Sequence, residues 1–320
     1  MRSPARSLAT ALLLLAGAFP SYGALNGQAG TSGAQFLKLG AGGRAGAMAD
    51  SFSAIADDAY AAYYNPAGLS QLGGPQLGGA DTQYFQGIQY EVLDFAYPWA
   101  RQRDYSRDVL SLSVYQLAVS DIQRFTSDTT DSVGTFGSSD TDYTLSYSYG
   151  FDRHLSVGAT GKLIAQSLDT YRSTAYAMDA GVLYRLNPSD RRPISVSAVI
   201  KNVGTRTGYI YNNTDPLPTE VTFGLGATVV PKALKLDFEV SDYRDTNPFI
   251  SLGGEYTKQL NEAVGTAVRF GYTTDRSSNP GLNGPTLGAG LTFRRVSFDF
   301  AWVPFGELGD TFRYSMLVKF

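Results

Sequence analysis

The feature that most constrains this chain is a two-residue alternation of apolar and polar side chains, recurring in short segments from Pro75 to Phe320. Period two puts one set of side chains on each face of a β-strand, and about ten residues let a tilted strand cross a bilayer. The alternation is cleanest in Ala233–Ser241, where Leu234, Leu236, Phe238 and Val240 oppose Lys235, Asp237, Glu239 and Ser241. Asp142–Phe151 is as clean, with Tyr143, Leu145, Tyr147, Tyr149 and Phe151 opposing Asp142, Thr144, Ser146, Ser148 and Gly150. The pattern returns in Leu155–Leu163, Tyr176–Leu186, Ile194–Lys201, Val221–Val229 and Ile250–Tyr256. It continues in Val268–Tyr272, Leu287–Phe293, Val296–Trp302 and Phe312–Phe320. Val109–Val119 and Ile88–Trp99 follow it less strictly, the second changing face near Leu93, and Pro75–Tyr84 follows it least. These segments make fourteen candidate strands.

A soluble sandwich alternates in the same way, so connections must decide. The turns near Arg153, Asn187–Arg192, Pro231-Lys232, Gln259–Glu262 and Arg294-Arg295 are short, whereas Ser120–Asp140, Gly204–Pro216 and Asp275–Pro285 are long. Short and long connections tend to alternate, as in barrels with turns at one rim and loops at the other. An even strand count leaves both ends of the barrel on one side. The closing segment carries Phe312, Tyr314, Met316, Val318 and Phe320 on one face, which resembles the C-terminal assembly signal of outer-membrane barrels. A closed sheet is one of two ways to pair every backbone amide in lipid. Tyr and Phe near strand ends fit interfacial girdles, although Tyr is also a good strand former.

Composition narrows the chemistry. There is no Cys and one His, which excludes thiolate metal sites, disulfides and a His-rich zinc site. Charged residues are only 17% of the chain. Met1–Gly23 reads as a secretory signal, with Arg2 and Arg6, an apolar Ala9–Phe19 and small residues at Ser21-Tyr22-Gly23. Its removal leaves 24 basic against 29 acidic residues, a net charge of −5 that argues against a nucleic-acid surface. No run approaches the ~20 apolar residues of a spanning helix.

Before the strands lies Gly40–Leu69, rich in small residues. Met48, Phe52, Ile55 and Ala56 at helical spacing predict a short helix over Ala47–Ala56. Asp57 or Asp58 suits the N-cap of a second over Ala59–Tyr64, which Pro66 ends. Gly42, Gly43 and Gly46 let the backbone lie close to a wall. Helices this short need a surrounding surface, so the segment is expected to be a plug inside the barrel.

This stretch resembles the N-terminal signature of the PorV/PorQ family, within the FadL-like group of outer-membrane barrels. The matching positions are Phe36, Leu39, Gly40, Arg44, Met48, Ala54, Ala56, Asp57, Asp58, Ala61, Asn65, Pro66, Ala67, Gly68 and Leu69. The family usually carries Gly directly after the Met, where this chain has Ala49 and Asp50. The resemblance implies a bacterial outer-membrane protein, with either uptake of hydrophobic molecules past a hatch or binding of secretion-system proteins, as in type IX secretion.

Candidate site residues follow. Plug or hatch residues are Arg44, Met48, Asp57, Asp58 and the run Asn65 to Leu69, the run being either a stop that steers the chain into the first strand or a hatch that moves. The face opposite the apolar one carries Lys162, Asp179, Arg185, Lys235, Asp237, Glu239, Glu255, Arg269, Asp299, Arg313 and Lys319, which a barrel turns toward its lumen. Part of this set is expected to hold the plug through Arg44 or the Asp57-Asp58 pair, with a solvated, mutually paired interior as the alternative. Both signs are present, so no ion preference follows. Gly40-x-Gly42-x-x-Ala45 looks like a dinucleotide loop but lacks a βαβ unit. His154 has no partner Cys or His and reads as a turn residue. Asp57 and Asp58 lack further oxygens at calcium spacing.

The expectation is therefore an all-β, 14-stranded antiparallel transmembrane barrel with a short helical N-terminal plug: signal 1–23, plug 24–74, barrel 75–320. No catalytic constellation, cofactor or metal is expected. Expected partners are outer-membrane lipid and the barrel assembly machinery, with a hydrophobic ligand or secretion-system proteins as cargo. The functional alternatives are a conduit, a protein-binding secretion component and a purely structural barrel.

Overall fold

The computed structural model describes residues 30–101, 105–125, 131–210, 213–275 and 280–320. The expected signal segment lies outside them. The strands are β1 (Gln76–Gln83), β2 (Gln89–Arg101), β3 (Ser106–Arg124), β4 (Gly134–Gly150), β5 (Leu155–Leu168), β6 (Tyr171–Arg185), β7 (Ile194–Gly204) and the short β8 (Thr207–Ile210) and β9 (Asn213–Asp215). Then come β10 (Glu220–Val230), β11 (Leu234–Tyr243), β12 (Phe249–Gln259), β13 (Val264–Thr273), β14 (Pro285–Phe293), β15 (Val296–Pro304) and β16 (Asp310–Lys319). β8 and β9 form a separate ribbon, and the other fourteen close into one antiparallel barrel in chain order. Closure runs through β1 and β16, paired from Gln76↔Lys319 to Gln83↔Phe312, with Phe320 N–H donating to the Pro75 carbonyl.

Alternation sorts the side chains as a membrane barrel requires. Leu93, Leu112, Leu145, Leu163, Met178, Val268 and Leu287 are exposed on the outside, while their sequence neighbours Asp94, Ser111, Ser113, Thr144, Lys162, Asp179, Arg269 and Thr286 are buried inside. On β16, Phe312, Tyr314, Met316 and Phe320 face outward, between the buried Thr311, Arg313, Ser315 and Leu317.

Three expectations need correction. β2 does not change face at Leu93: Tyr90, Val92, Asp94 and Ala96 are all buried, and Leu93, Phe95, Tyr97 and Trp99 are all exposed. The inner face begins apolar because it meets plug aromatics rather than water. Ser120–Asp140 is not a loop, since β3 and β4 continue through most of it, with a bulge between Val119 and Ile122 where Asp121 has φ 58°. At 19 residues β3 reaches about 60 Å, well beyond the 9–11 residues of a span. Finally, the expected Ala47–Ala56 helix is absent. Helical turns occupy Gly43–Gly46 and Ala61–Tyr64, with 3₁₀ turns at Gln35–Lys38 and Pro66–Gln71. Ala49 and Asp50 sit at φ 56° and 59°, a left-handed pair that stops an α-helix.

The described N-terminal segment runs through the barrel from rim to rim. Gly33 N–H donates to the Pro216 carbonyl among the loops, and Gly74 meets the Phe320 carbonyl at the opposite, short-turn rim. Its tight fit rests on inward glycines of the wall. A Cβ on Gly271 would stand 2.3 Å from Met48, and one on Gly158 2.4 Å from the Pro66–Ala67 peptide. Real Cβ atoms do not approach that closely, so these strands present bare backbone to the segment.

Candidate functional site

The lumen is filled rather than open at its middle. Met48, Phe52, Tyr60, Tyr63, Tyr64, Leu69 and Leu72 pack with Tyr90, Val92, Ala96, Val109, Tyr115 and Leu317 of the wall in one buried cluster. The interior is thus dry rather than solvated where the segment sits, and the inner wall is apolar opposite it. Tyr64 meets both Phe52 and Tyr63 edge-on, with centroids 5.4 and 4.9 Å apart.

Around this cluster the structure brings together half of the charged residues named from sequence. Arg44 projects from the Gly43–Gly46 turn and clamps Glu255 with two bonds of 2.8 Å, from Nε and Nη2. Its Nη1 donates to Asp57 Oδ1 at 2.5 Å and to Asp58 Oδ2 at 2.8 Å. Asp57 continues to Lys235 at 2.6 Å, and Glu255 to Arg269 at 2.7 Å, which reaches Asp299 at 2.7 Å. The result is a line of alternating charge across the segment and β11, β12, β13 and β15. The planar Arg fork suits such two-point pairing. Burial works to raise the Asp57 pKa, but Arg44 and Lys235 overcome it and hold the carboxyl well below the usual carboxylate range.

The other named residues fall in separate groups. Arg313 pairs with Asp50 at 2.7 Å, and Asp50 also accepts from the Tyr64 hydroxyl at 2.7 Å. Asp50, at φ 59°, thus holds a glycine-like backbone conformation and ties that turn to β16. Glu239 accepts the Phe52 N–H at 2.9 Å and the Ser53 N–H at 2.5 Å, and Asp237 accepts from Ser51 Oγ at 3.2 Å. Lys162 pairs with Asp179 at 2.8 Å and donates to Asn202 Oδ1 at 2.8 Å, away from the Arg44 line. Arg185 is half-buried near the short-turn rim, and Lys319 lies exposed at the strand end. His154 sits in a turn, its Nδ1 2.9 Å from the Arg185 carbonyl.

Asp58 serves the turn before the second helix rather than its cap: Oδ1 accepts from Tyr60 N–H at 3.1 Å, while the cap position is Tyr60 itself. In the Asn65 to Leu69 run, Asn65 caps the 3₁₀ turn by accepting the Ala67 N–H at 3.1 Å and donates to the Ser53 carbonyl at 3.0 Å. Pro66 follows as its first residue.

Sequence reasoning missed several buried groups. Lys201 and Asn202 are adjacent yet both point inward, because the β6–β7 ladder slips between Met178 and Ala180 and Asn202 takes φ 60°. A bulge breaks period two, so alternation cannot reveal it. Lys201 pairs with Glu220 at 2.6 Å and lies over the Tyr63 ring. Asp94 accepts from the Tyr115 hydroxyl at 2.8 Å. At the loop rim, Asp245 accepts from Lys38 at 2.6 Å and Gln35 at 2.8 Å. No group of three or more metal-ligating side chains occurs among the described residues.

Comparison with known proteins places the fold. No protein-family model matches the chain, and no curated protein matches it either. Solved structures do. The chain is similar to the CymD monoaromatic hydrocarbon channel, at 14% identity and TM-score 0.59, over 88% of this chain and 98% of that one. It is similar to the Ralstonia pickettii toluene transporter TbuX, at 13% identity and TM-score 0.56 with the same coverage. A Pseudomonas aeruginosa FadL homologue matches at 12% identity and TM-score 0.53, again over 88% and 98%. The chain therefore has the FadL-like barrel fold, and the first two of these neighbours are a channel and a transporter.

Proposed function

We propose that this protein is a bacterial outer-membrane conduit for hydrophobic small molecules, kept shut by its own N-terminal segment. The observation that supports it most is a closed barrel with an apolar belt whose lumen is filled by residues of the chain itself, largely apolar at the centre. A lumen lined and filled in this way offers a polar solute no wet path, whereas displacement of the segment exposes tyrosines and aliphatic side chains to a passing ligand. In this reading the short-turn rim faces the periplasm and the loop rim the outside. The outward row of β16 docks with the barrel assembly machinery during insertion. The test is uptake of a hydrophobic tracer across the outer membrane of a Gram-negative host, beside a polar tracer of equal size. Faster entry of the hydrophobic tracer alone supports the reading; equal or absent uptake of both sinks it.

A second reading is a PorV/PorQ-type barrel that binds secretion-system proteins. The height of β3 and β4 favours it, because their upper ends stand clear of the bilayer as a wall with exposed Phe125 and Val133. Stable protein partners recovered from the native membrane, without effect of deletion on tracer uptake, would select it.

A further inference from the structure

The two rims of the barrel carry opposite charge. The turns of the short-turn rim present exposed cations: Arg153 between β4 and β5, Arg191 and Arg192 between β6 and β7, Lys232 between β10 and β11, Arg294 and Arg295 between β14 and β15. Arg107, Lys258 and Lys319 add exposed cations at strand ends there, against exposed Asp152, Asp190 and Glu262. At the loop rim the bias reverses. Among the described residues, exposed Asp121, Asp131, Asp215, Asp275, Glu307 and Asp310 outnumber Arg172, Arg206 and Arg244, and Arg124 is paired with Asp169. Two cations of the short-turn rim stand where the backbone favours glycine. Lys232 has φ 62° and Arg294 φ 54°, the left-handed region that Gly or Asn fills readily in a tight turn. Their charge is thus held at the turn tips against backbone preference. The cations also sit at a defined height. Phe151, Val230 and Phe293 are exposed apolar side chains beside their turns, and Arg153, Lys232 and Arg294 follow one or two residues later. At about 3.3 Å per residue, that is ~7 Å or less beyond the apolar belt, the depth of a lipid headgroup layer. Arg107 and Arg294 lie over the Tyr149 and Phe293 rings. No ion pair engages Lys232, Arg294 or Arg295 among the described residues.

We propose that the short-turn rim is a phosphate collar that gathers anionic glycerophospholipids around the barrel. Cations at headgroup depth can each meet a lipid phosphate, and a guanidinium can take two of its oxygens at once. A water-borne acidic protein would need cations that project beyond the headgroups. These instead adjoin the outward apolar side chains, so lipid is the occupant that fits. The acidic loop rim repels the same headgroups, and the barrel thereby tells the two leaflets apart. In the orientation proposed above, the collar meets the inner, phospholipid leaflet of the outer membrane. The inference does not rest on what the barrel carries and stands or falls apart from the conduit reading.

The chain has two tryptophans, and they report the two rims separately. Trp99 is exposed on β2 near the short-turn rim, between residues paired with Val109 and Asp108 and one strand from Arg107. Trp302 lies on β15 near the loop rim, paired with Phe312. Full-length protein carrying Trp302→Phe or Trp99→Phe is reconstituted in phosphatidylcholine bilayers, with brominated phosphatidylglycerol or brominated phosphatidylcholine as quencher. Trp99 should be quenched as if phosphatidylglycerol were about fivefold enriched around it, the effect of one nearby cation, and Trp302 as if it were not enriched. Arg107→Gln with Arg153→Gln should bring the enrichment at Trp99 close to one, and Arg107→Lys should keep it. Salt at about 1 M should weaken it, because the screening length falls to about 3 Å. Heat-modifiable migration confirms a folded barrel for each variant. Equal enrichment at both tryptophans, or none at Trp99, overturns the proposal. So does enrichment at Trp99 that survives both the double substitution and the salt.

Discussion

Replacing Arg44 by Ala tests whether the line of charges holds the lumen filling in place. Arg44 is nearly buried and bonded to three carboxylates. Removing one partner of a buried charge pair costs about 3–5 kcal/mol, because the other charge is left uncompensated. Two neighbours keep a cation here: Glu255 retains Arg269, and Asp57 retains Lys235. Asp58 has no other cation within salt-bridge distance among the described residues, so the lower end, about 3 kcal/mol, applies. That free energy should appear as a roughly hundredfold rise in local opening of the segment. The assay is amide hydrogen exchange by mass spectrometry. The amides of Gly46 and Ala47 bond within the segment, to Gly42 and Gly43 carbonyls, and report its opening directly. They should lose about two orders of magnitude of protection while amides of β11 and β12 keep theirs. Arg44→Lys should fall between, since an ammonium cannot make the two-point bond to Glu255. Unchanged protection in Arg44→Ala, or equal loss in segment and barrel, refutes the reasoning.

Other outcomes follow from the same contacts. Gly271→Val should force the Met48–Ala49 turn from the wall and raise conductance in planar bilayers, whereas Gly161→Ala, with open space around its Cβ, should change neither conductance nor stability. Asn65→Ala should cost about 1 kcal/mol or more in segment stability, read by the same exchange experiment, since it removes the cap on Ala67 and the bond to Ser53. Leu145→Arg, on the outer face, should lower barrel stability in urea by about 2–4 kcal/mol, while Thr144→Ala next to it should not. The folded pKa of Asp57 is depressed, so its stabilising contribution is complete above the unfolded value of about 4 and is lost only as pH falls toward the folded one. Burial would raise Asp245 as well, but bonds from Lys38 and Gln35 lower it. The difference in segment protection between the protein and Asp57→Asn should therefore be the same at pH 7 and pH 5 and shrink only below about pH 4.

The barrel was legible because alternation is local and a bilayer makes it strict. β4 from Asp142 onward and β11 show it unbroken, Leu145 and Phe238 outward against Thr144 and Asp237 inward. Where the lumen is filled rather than wet, the code weakens: Tyr90 and Val92 are apolar yet inward, and only knowledge of the plug's aromatics explains them. Bulges hide residues entirely, as with Lys201 beside Asn202. Helical spacing misled over Ala47–Ala56, because Met48, Phe52 and Ile55 are buried by contact from all sides rather than along one helical stripe. The left-handed turn at Ala49 and Asp50 carries no glycine to announce it, and the Asp50–Arg313 pair depends on register across the whole barrel. Charges in the Arg44 line could be named singly from strand periodicity; their order along the line could not, since it spans four strands.

The most direct test of the account is a spin-label scan along β4, using single cysteines placed at positions 142 to 147 in this cysteine-free chain. In reconstituted protein, labels at 143, 145 and 147 should be open to lipid-dissolved oxygen, and labels at 142, 144 and 146 shielded from both oxygen and a water-soluble quencher. Uniform access of the water-soluble quencher to every position would contradict a lipid-embedded barrel with a filled lumen.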